Sequence, residues 1–212
     1  MFDLTNIKQL HMETSSACNA TCPWCWRENT NKFDKGTDTL SLTLEKVRTR
    51  FNEPFIKNLD SMFMCGNYGD PAAAHETIDI LKYFREVNPK IELGIHSNGG
   101  LRSTKWWAEL GTILSGERDY CYFGIDGLVD TNHLHRRGTL FTKIMDNATS
   151  FIKAGGKAHW EYLVFEHNEH QVEEARALSE AMGFVGFREK VSFRFQFKTV
   201  PGIRRPLSER YK

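Results

Sequence analysis

Cys18, Cys22 and Cys25 place three of the chain's five cysteines within eight residues, in the order Cys-x-x-x-Cys-x-x-Cys. That spacing lets one short loop curl three sulfurs toward a common centre, and three thiolates on one loop suggest a metal. A structural zinc site takes four protein ligands in a closed tetrahedron, and ferredoxin-type iron–sulfur clusters are normally held by four cysteines. The loop itself supplies no fourth. Cys65 and Cys121 are the remaining thiols, and each lies in an apolar run that reads as a strand, Met62-Phe63-Met64-Cys65 and Tyr120-Cys121-Tyr122-Phe123. In such a run a cysteine behaves as a small buried hydrophobe. The eight histidines add little to a metal reading. His133/His135 and His167/His170 are the closest pairs, but the second pair opens a helix where polar residues belong, and His96 and His159 read as ordinary strand residues.

The elements that must hold this loop alternate. Ile7 to Thr14 is β-branched and apolar, and it reads as a first strand with the cysteine loop at its C-terminal end. Leu44, Val47 and Phe51 recur at helical spacing after Ser41 and Thr43, with Pro54 beyond the end. Strands follow at Ser61–Asn67, Ile91–His96, Asp119–Ile125, Lys157–Phe165 and Val191–Phe197. Between them helices bury Ile78, Leu81, Phe84 and Val87, then Trp107, Leu110 and Leu114, then the face of a helix over Thr142–Ala154, then Val172, Ala175, Leu178 and Met182. Phe193, Phe195 and Phe197 read as core, and Trp106 and Trp107 as helix-packing residues.

Strand and helix alternate at a period of roughly thirty residues, the size of a βαβ unit, which implies a parallel α/β architecture. The first strand leads into no glycine-rich dinucleotide fingerprint, so a barrel or partial barrel fits better than a Rossmann sheet. In parallel barrels chemistry is built on the loops at the C-terminal strand ends. The unusual residues lie there: the cysteine loop, Gly66-Asn67-Tyr68-Gly69-Asp70-Pro71, His96-Ser97-Asn98-Gly99-Gly100, Phe123-Gly124-Ile125-Asp126-Gly127 and Glu166-His167-Asn168.

With 212 residues and a net charge of +1, the chain is expected to form one main domain, and charge gives no argument for nucleic acid or an anionic membrane as partner. Residues 1–198 are expected to form that domain and 199–212 a short basic C-terminal tail, solvated and partly loose. No apolar run is long enough to span a bilayer, and the N-terminus lacks a signal-peptide pattern, so a cytoplasmic location with reduced thiols is expected.

The cysteine spacing, with the aromatic Trp24 directly before the last cysteine, resembles the hallmark of the radical S-adenosylmethionine (radical SAM) superfamily. A chance cysteine cluster or a zinc knuckle is the competing reading of the same residues. The resemblance runs from the first strand through the sixth, and it implies an open, six-stranded partial (β/α)6 barrel. Gly66 to Pro71 is similar to the Gly-Gly-Glu-Pro segment that receives the amino group of S-adenosylmethionine in that superfamily. Asp70 stands where relatives carry Glu, so backbone roles for Gly66 and Gly69 are expected above a side-chain role for Asp70. Ser97 and Asn98 resemble the Thr-Asn-Gly ending of the third strand, near the cofactor.

Gly124-Ile125-Asp126-Gly127 followed by Arg136-Arg137-Gly138 resembles the Ser-x-Asp-Gly to Arg-Gly stretch of the SPASM-type peptide-modifying branch, where an arginine holds the cofactor carboxylate. Arg137, directly before the glycine, is the expected arginine, with Arg136 the alternative. Gly124 replaces a serine that contacts the ribose.

The resemblance thus implies a 4Fe-4S cluster on Cys18, Cys22 and Cys25, with one iron left for S-adenosylmethionine and Trp24 covering the cluster beside the adenine. A 5′-deoxyadenosyl radical would take hydrogen from a substrate that the sequence does not identify, with a peptide or protein substrate only an analogy. An electron donor would be required. Because no cysteine follows Cys121, the auxiliary clusters of SPASM-type relatives are not expected. The alternatives are a non-catalytic iron–sulfur electron-transfer or structural metal protein, or a partial enzyme that needs a partner chain.

Overall fold

The computed structural model describes residues 4–25, 27, 40–197 and 199–211. Six parallel strands form one sheet in sequence order: β1 Gln9–Met12, β2 Ser61–Met64, β3 Glu92–Ser97, β4 Tyr120–Gly124, β5 Ala158–Val164 and β6 Gly186–Val191. Each strand pairs with its sequence neighbours, and no ladder joins β1 to β6 among the described residues, so the barrel is open as expected.

The crossovers carry the helices α1 Leu44–Arg50, α2 Glu53–Asn58, α3 Thr77–Val87, α4 Thr104–Ile113, α5 Asn132–His135, α6 Phe141–Lys153 and α7 Val172–Met182. Side-chain caps fix several starts: Thr43 accepts from Lys46 N, Asn52 from Phe55 N and Ser103 from Trp106 N. α7 ends on Gly183, whose φ of +87° is a left-handed cap that suits glycine. Pro54 lies beyond the end of α1 as expected, and it sits in the first turn of α2, a helix the sequence reading did not contain, where its missing N–H costs nothing.

The strand alternation separates two unlike faces. Met62, Met64, Ile95, Phe123, Trp160 and Tyr162 are fully buried beneath the helices. Cys121 joins them, as the sequence implied, and Trp107 packs on Phe123 at a centroid distance of 5.0 Å. The opposite, inner face carries rings and charges. His11, Phe63, His96, Tyr122 and His159 meet in succession across five strands, at centroid distances of 4.6, 6.1, 4.8 and 4.8 Å. Closed parallel barrels fill this space with branched aliphatic side chains. Here it is polar, which marks it as a site rather than a core.

Three expectations about the C-terminal part are corrected. The sixth strand is Gly186–Val191, and Phe193–Gln196 forms a 3-10 turn in place of the expected strand over 191–197. Phe193 and Phe197 are exposed at 64% and 76%, so the phenylalanine stripe is not core. Only Phe195 turns in, against Trp24 and Phe165. Lys198, the expected last residue of the main domain, lies outside the described residues. The following segment is docked rather than loose. Ile203 is buried against Trp24 and Phe165, Glu169 accepts from Leu207 N and Ser208 N, and Arg210 pairs with Glu173 and Glu189.

Candidate functional site

A cavity of about 430 Å3 opens at the C-terminal ends of the strands, and Cys18, Cys22 and Cys25 line it together. The cysteine loop is laid out against three neighbouring strand ends by backbone and amide contacts. Asp70 N donates to Ala17 O at 2.7 Å, Asn98 Nδ2 to Asn19 Oδ1 at 2.9 Å, and Thr21 N to Arg137 O at 2.9 Å. Ala20 N and Asn98 Nδ2 also point to Cys18 Sγ, at 3.3 and 3.5 Å.

Glycine is required where these loops touch. A Cβ on Gly69 would stand 2.1 Å from Ser15 O, one on Gly66 would stand 1.9 Å from Gly69 O, and one on Gly138, at φ +86°, would meet Asn19 O at 2.5 Å. Gly66 and Gly69 are thus required by the packing of these loops on one another.

Asp70, Ser97 and Asn98 also border the cavity. The Asp70 carboxylate is turned back into the protein, where it accepts from Ala72 N, Ser97 Oγ and Asn98 N, each at 2.9 Å. Burial raises its pKa, and those hydrogen bonds oppose the rise. Asp70 thus fastens the second strand end to the third and has little left for a ligand.

Of the two arginines, it is Arg136 that the structure brings to the cavity. Arg137 is exposed, with Nε donating to Leu134 O, whereas Arg136 enters the cavity wall. Asp126, wholly buried, lies behind it. Its carboxylate receives Arg136 Nε at 2.5 Å, His135 Nδ1 at 2.6 Å and Leu163 N at 2.8 Å. Burial alone would raise the Asp126 pKa, but the Arg136 charge and the His135 contact hold it well below the usual carboxylate range. Gly124 explains the choice of arginine, because a Cβ there would stand 2.6 Å from Arg136 Nη2. The glycine that replaces a serine is the space into which the guanidinium fits.

Trp24 does not reach the cavity. It is 2% exposed, packed on Phe165, Ile203 and Phe195, and its carbonyl accepts from Arg194. Among the lining residues that were not foreseen, two lie close to the expected ones. Cys65 borders the cavity instead of the core, and His135 lines it with a buried Nε2 that has no hydrogen-bond partner in the protein. The Asp126 contact orients the His135 ring, while burial lowers its pKa and keeps it neutral.

Burial pushes the Cys18 thiol up to about 12, with the Asp70 charge adding to the effect, and pushes Cys22 up to about 11. Thiols in such surroundings ionise when a cation is beside them, and metal binding then releases their protons. Among the described residues no three His, Cys, Asp or Glu side chains are drawn tightly enough to hold a single metal ion. A multi-iron cluster separates its ligands more widely than one ion does.

A family model described as "Radical SAM superfamily" matches residues 12–178. Among solved structures, Streptococcus suis SuiB bound to the precursor peptide SuiA aligns with a TM-score of 0.69 at 15% identity, covering 89% of this chain and 40% of that one. A structure of anSMEcpe with bound AdoMet aligns with a TM-score of 0.65 at 18% identity, covering 86% and 49%. Another, with AdoMet and the Cp18Cys peptide, gives 0.64 at 18%, covering 86% and 50%. The chain therefore spans half or less of each of these structures, and at such identities the likeness is one of fold. Among curated proteins, none matches the chain.

Proposed function

Because the chain belongs to the radical SAM superfamily, we propose that it is an enzyme in which Cys18, Cys22 and Cys25 hold a 4Fe-4S cluster and the adjoining rim receives S-adenosylmethionine. The observation that carries this reading is the single cavity shared by the three thiols, Gly66, Gly69, Ser97, Asn98 and Arg136. The donor set fits. Three soft thiolates on one loop suit a cluster with one iron left for an exogenous chelate; the fourth thiol on the cavity, Cys65, stands at the end of β2 outside that loop.

When bound, the cluster supplies an electron that cleaves the sulfonium of S-adenosylmethionine and yields a 5′-deoxyadenosyl radical for hydrogen abstraction. The chain's own residues supply position. Arg136, anchored to Asp126 through Nε and Nη2, turns its remaining N–H groups and its charge to a carboxylate, Gly66 and Gly69 open backbone to the ligand, and His135 Nε2 is an acceptor suited to a hydroxyl. The peptide-bound SuiB and anSMEcpe structures make a peptide the first substrate class to test. An electron donor and a cytoplasmic location belong to the same proposal. Among the described residues no helix is long and apolar enough to cross a membrane.

The test is anaerobic reconstitution. S-adenosylmethionine is expected to alter the cluster's electron paramagnetic resonance spectrum, and reduction to release 5′-deoxyadenosine. Neither result would be compatible with a purely structural metal site, and the absence of both would end the reading.

Arg136 allows a sharper check. Gly124→Ser brings back the serine of relatives, yet it is expected to weaken S-adenosylmethionine binding about tenfold or more, since a charged hydrogen bond is worth about 1.5–3 kcal/mol. Calorimetric titration of the reconstituted variant measures this, and an unchanged affinity would remove Arg136 from the carboxylate role.

A further inference from the structure

The wall of the cavity farthest along the sheet, built by β5 and β6, is charged. Glu161 accepts from Arg188 and, at 2.7 Å, from Lys190, and the Arg188 guanidinium lies 4.9 Å from the Tyr122 ring centroid. The register pairs Glu161 with Arg188 directly, so the cluster follows from strand alternation on the inner face.

Two cations share one carboxylate. Arg194, on the turn above, adds a third cation to the lining, and Nη1 of that side chain is held by the neutral Trp24 carbonyl. The other nearby carboxylates are committed elsewhere: Asp70 to its three donors, Asp126 to Arg136, and Glu13 to Asn67 and His11. The Glu161 side chain is 15% exposed, whereas Arg188 and Lys190 remain 53% and 43% exposed. The wall thus keeps a surplus positive charge on reachable side chains that line the same cavity as the cysteines.

Resting on the reading above, we propose that Arg188 and Lys190 bind a carboxylate of the substrate, with Glu161 holding the two cations side by side until it arrives. The carboxylate belongs to an acidic side chain or to the C-terminus of a peptide. β6 is an edge strand, and inward charges on an edge also discourage pairing with other chains. That protective role needs no ligand, so binding experiments separate the two.

Fluorescein-labelled ten-residue peptides of Gly, Ser and Ala serve as probes with the reconstituted, S-adenosylmethionine-loaded protein. One carries internal Glu with an amidated C-terminus, one has only a free C-terminal carboxylate, and one carries Lys with an amidated C-terminus. By anisotropy, one of the two carboxylate peptides is expected to bind about tenfold more tightly than the Lys peptide, the preference falling with added salt. Which one it is identifies the source.

R188Q/K190Q is expected to erase the difference while keeping the S-adenosylmethionine-dependent spectral change. Glu161→Gln, which frees both cations, is expected to tighten carboxylate binding several-fold, and it carries the test if the double variant misfolds. No preference for either carboxylate peptide, a preference that survives R188Q/K190Q, or no tightening in Glu161→Gln would overturn the proposal. The peptide series is repeated without S-adenosylmethionine, so loss of the spectral change in the wild type would count against the cofactor reading and leave the peptide preference to be read on its own.

Discussion

Cys18→Ser, Cys22→Ser and Cys25→Ser are each expected to abolish cluster assembly and to lower 5′-deoxyadenosine formation by more than about a hundredfold. Groups that merely orient a metal ligand cost 10- to 100-fold when removed, so a ligand itself costs more. A serine hydroxyl is a hard donor with a far higher pKa than a thiol, and iron in these clusters selects soft thiolate. Cys121 does not replace the loss, since it is fully buried on the helix-covered face. Cys121→Ala is the control expected to keep its iron. Cys65→Ser is the more telling control. Cys65 borders the same cavity, and burial pushes its thiol up to about 11, but it stands outside the three-cysteine loop and is expected to leave iron content intact. Iron per chain and visible absorption after anaerobic reconstitution measure all five variants. Full iron in any of the three loop variants would remove that cysteine from the ligand set.

The parts of this fold that were legible in the sequence are those governed by the buried face. Runs such as Met62-Phe63-Met64 and Tyr120-Cys121-Tyr122-Phe123 alternate between helix-covered and inward positions, and β1 to β5 follow from that pattern. β6 escaped because its inward residues are Arg188 and Lys190 and its neighbour Glu189 is charged as well, so the real strand reads as polar surface. The phenylalanines after it alternate as a strand would, yet two of the three face solvent. The same polar inner face makes the lumen a candidate site and hides its last strand.

Within the site, the cysteine loop and the glycine-rich strand ends were visible because their chemistry is local. Which of Arg136 and Arg137 lines the cavity was not, because that depends on which side chain meets Asp126 ten residues earlier and on the space left by Gly124. Trp24 shows the same limit. Its place beside the last cysteine suggested a position on the cavity, while the docked segment around Ile203 gives it an apolar pocket behind the lining.

Asp126→Asn is expected to destabilise the protein by about 3–5 kcal/mol, because it removes one partner of a buried ion pair and leaves the Arg136 charge uncompensated. The substitution preserves volume, so the loss is electrostatic and not a cavity effect. At roughly 2–4 °C per kcal/mol for a chain of this size, the melting temperature should fall by about 6–20 °C. Acid narrows the gap, and the sign follows from the depressed carboxyl. A carboxylate held below its unfolded value, near ~3.9, contributes fully above that value and loses its contribution as pH falls through the folded one. Wild-type stability from Asp126 is therefore level at neutral pH and declines only below about pH 4, while the asparagine variant lacks that limb. The damage should extend to the ligand. Asp126 also orients His135 and ties β5 through Leu163 N, so at a temperature where the variant is folded, S-adenosylmethionine affinity should drop with Arg136 released from its anchor. A variant that melts within a degree or two of wild type would show that Arg136 is held by something other than Asp126.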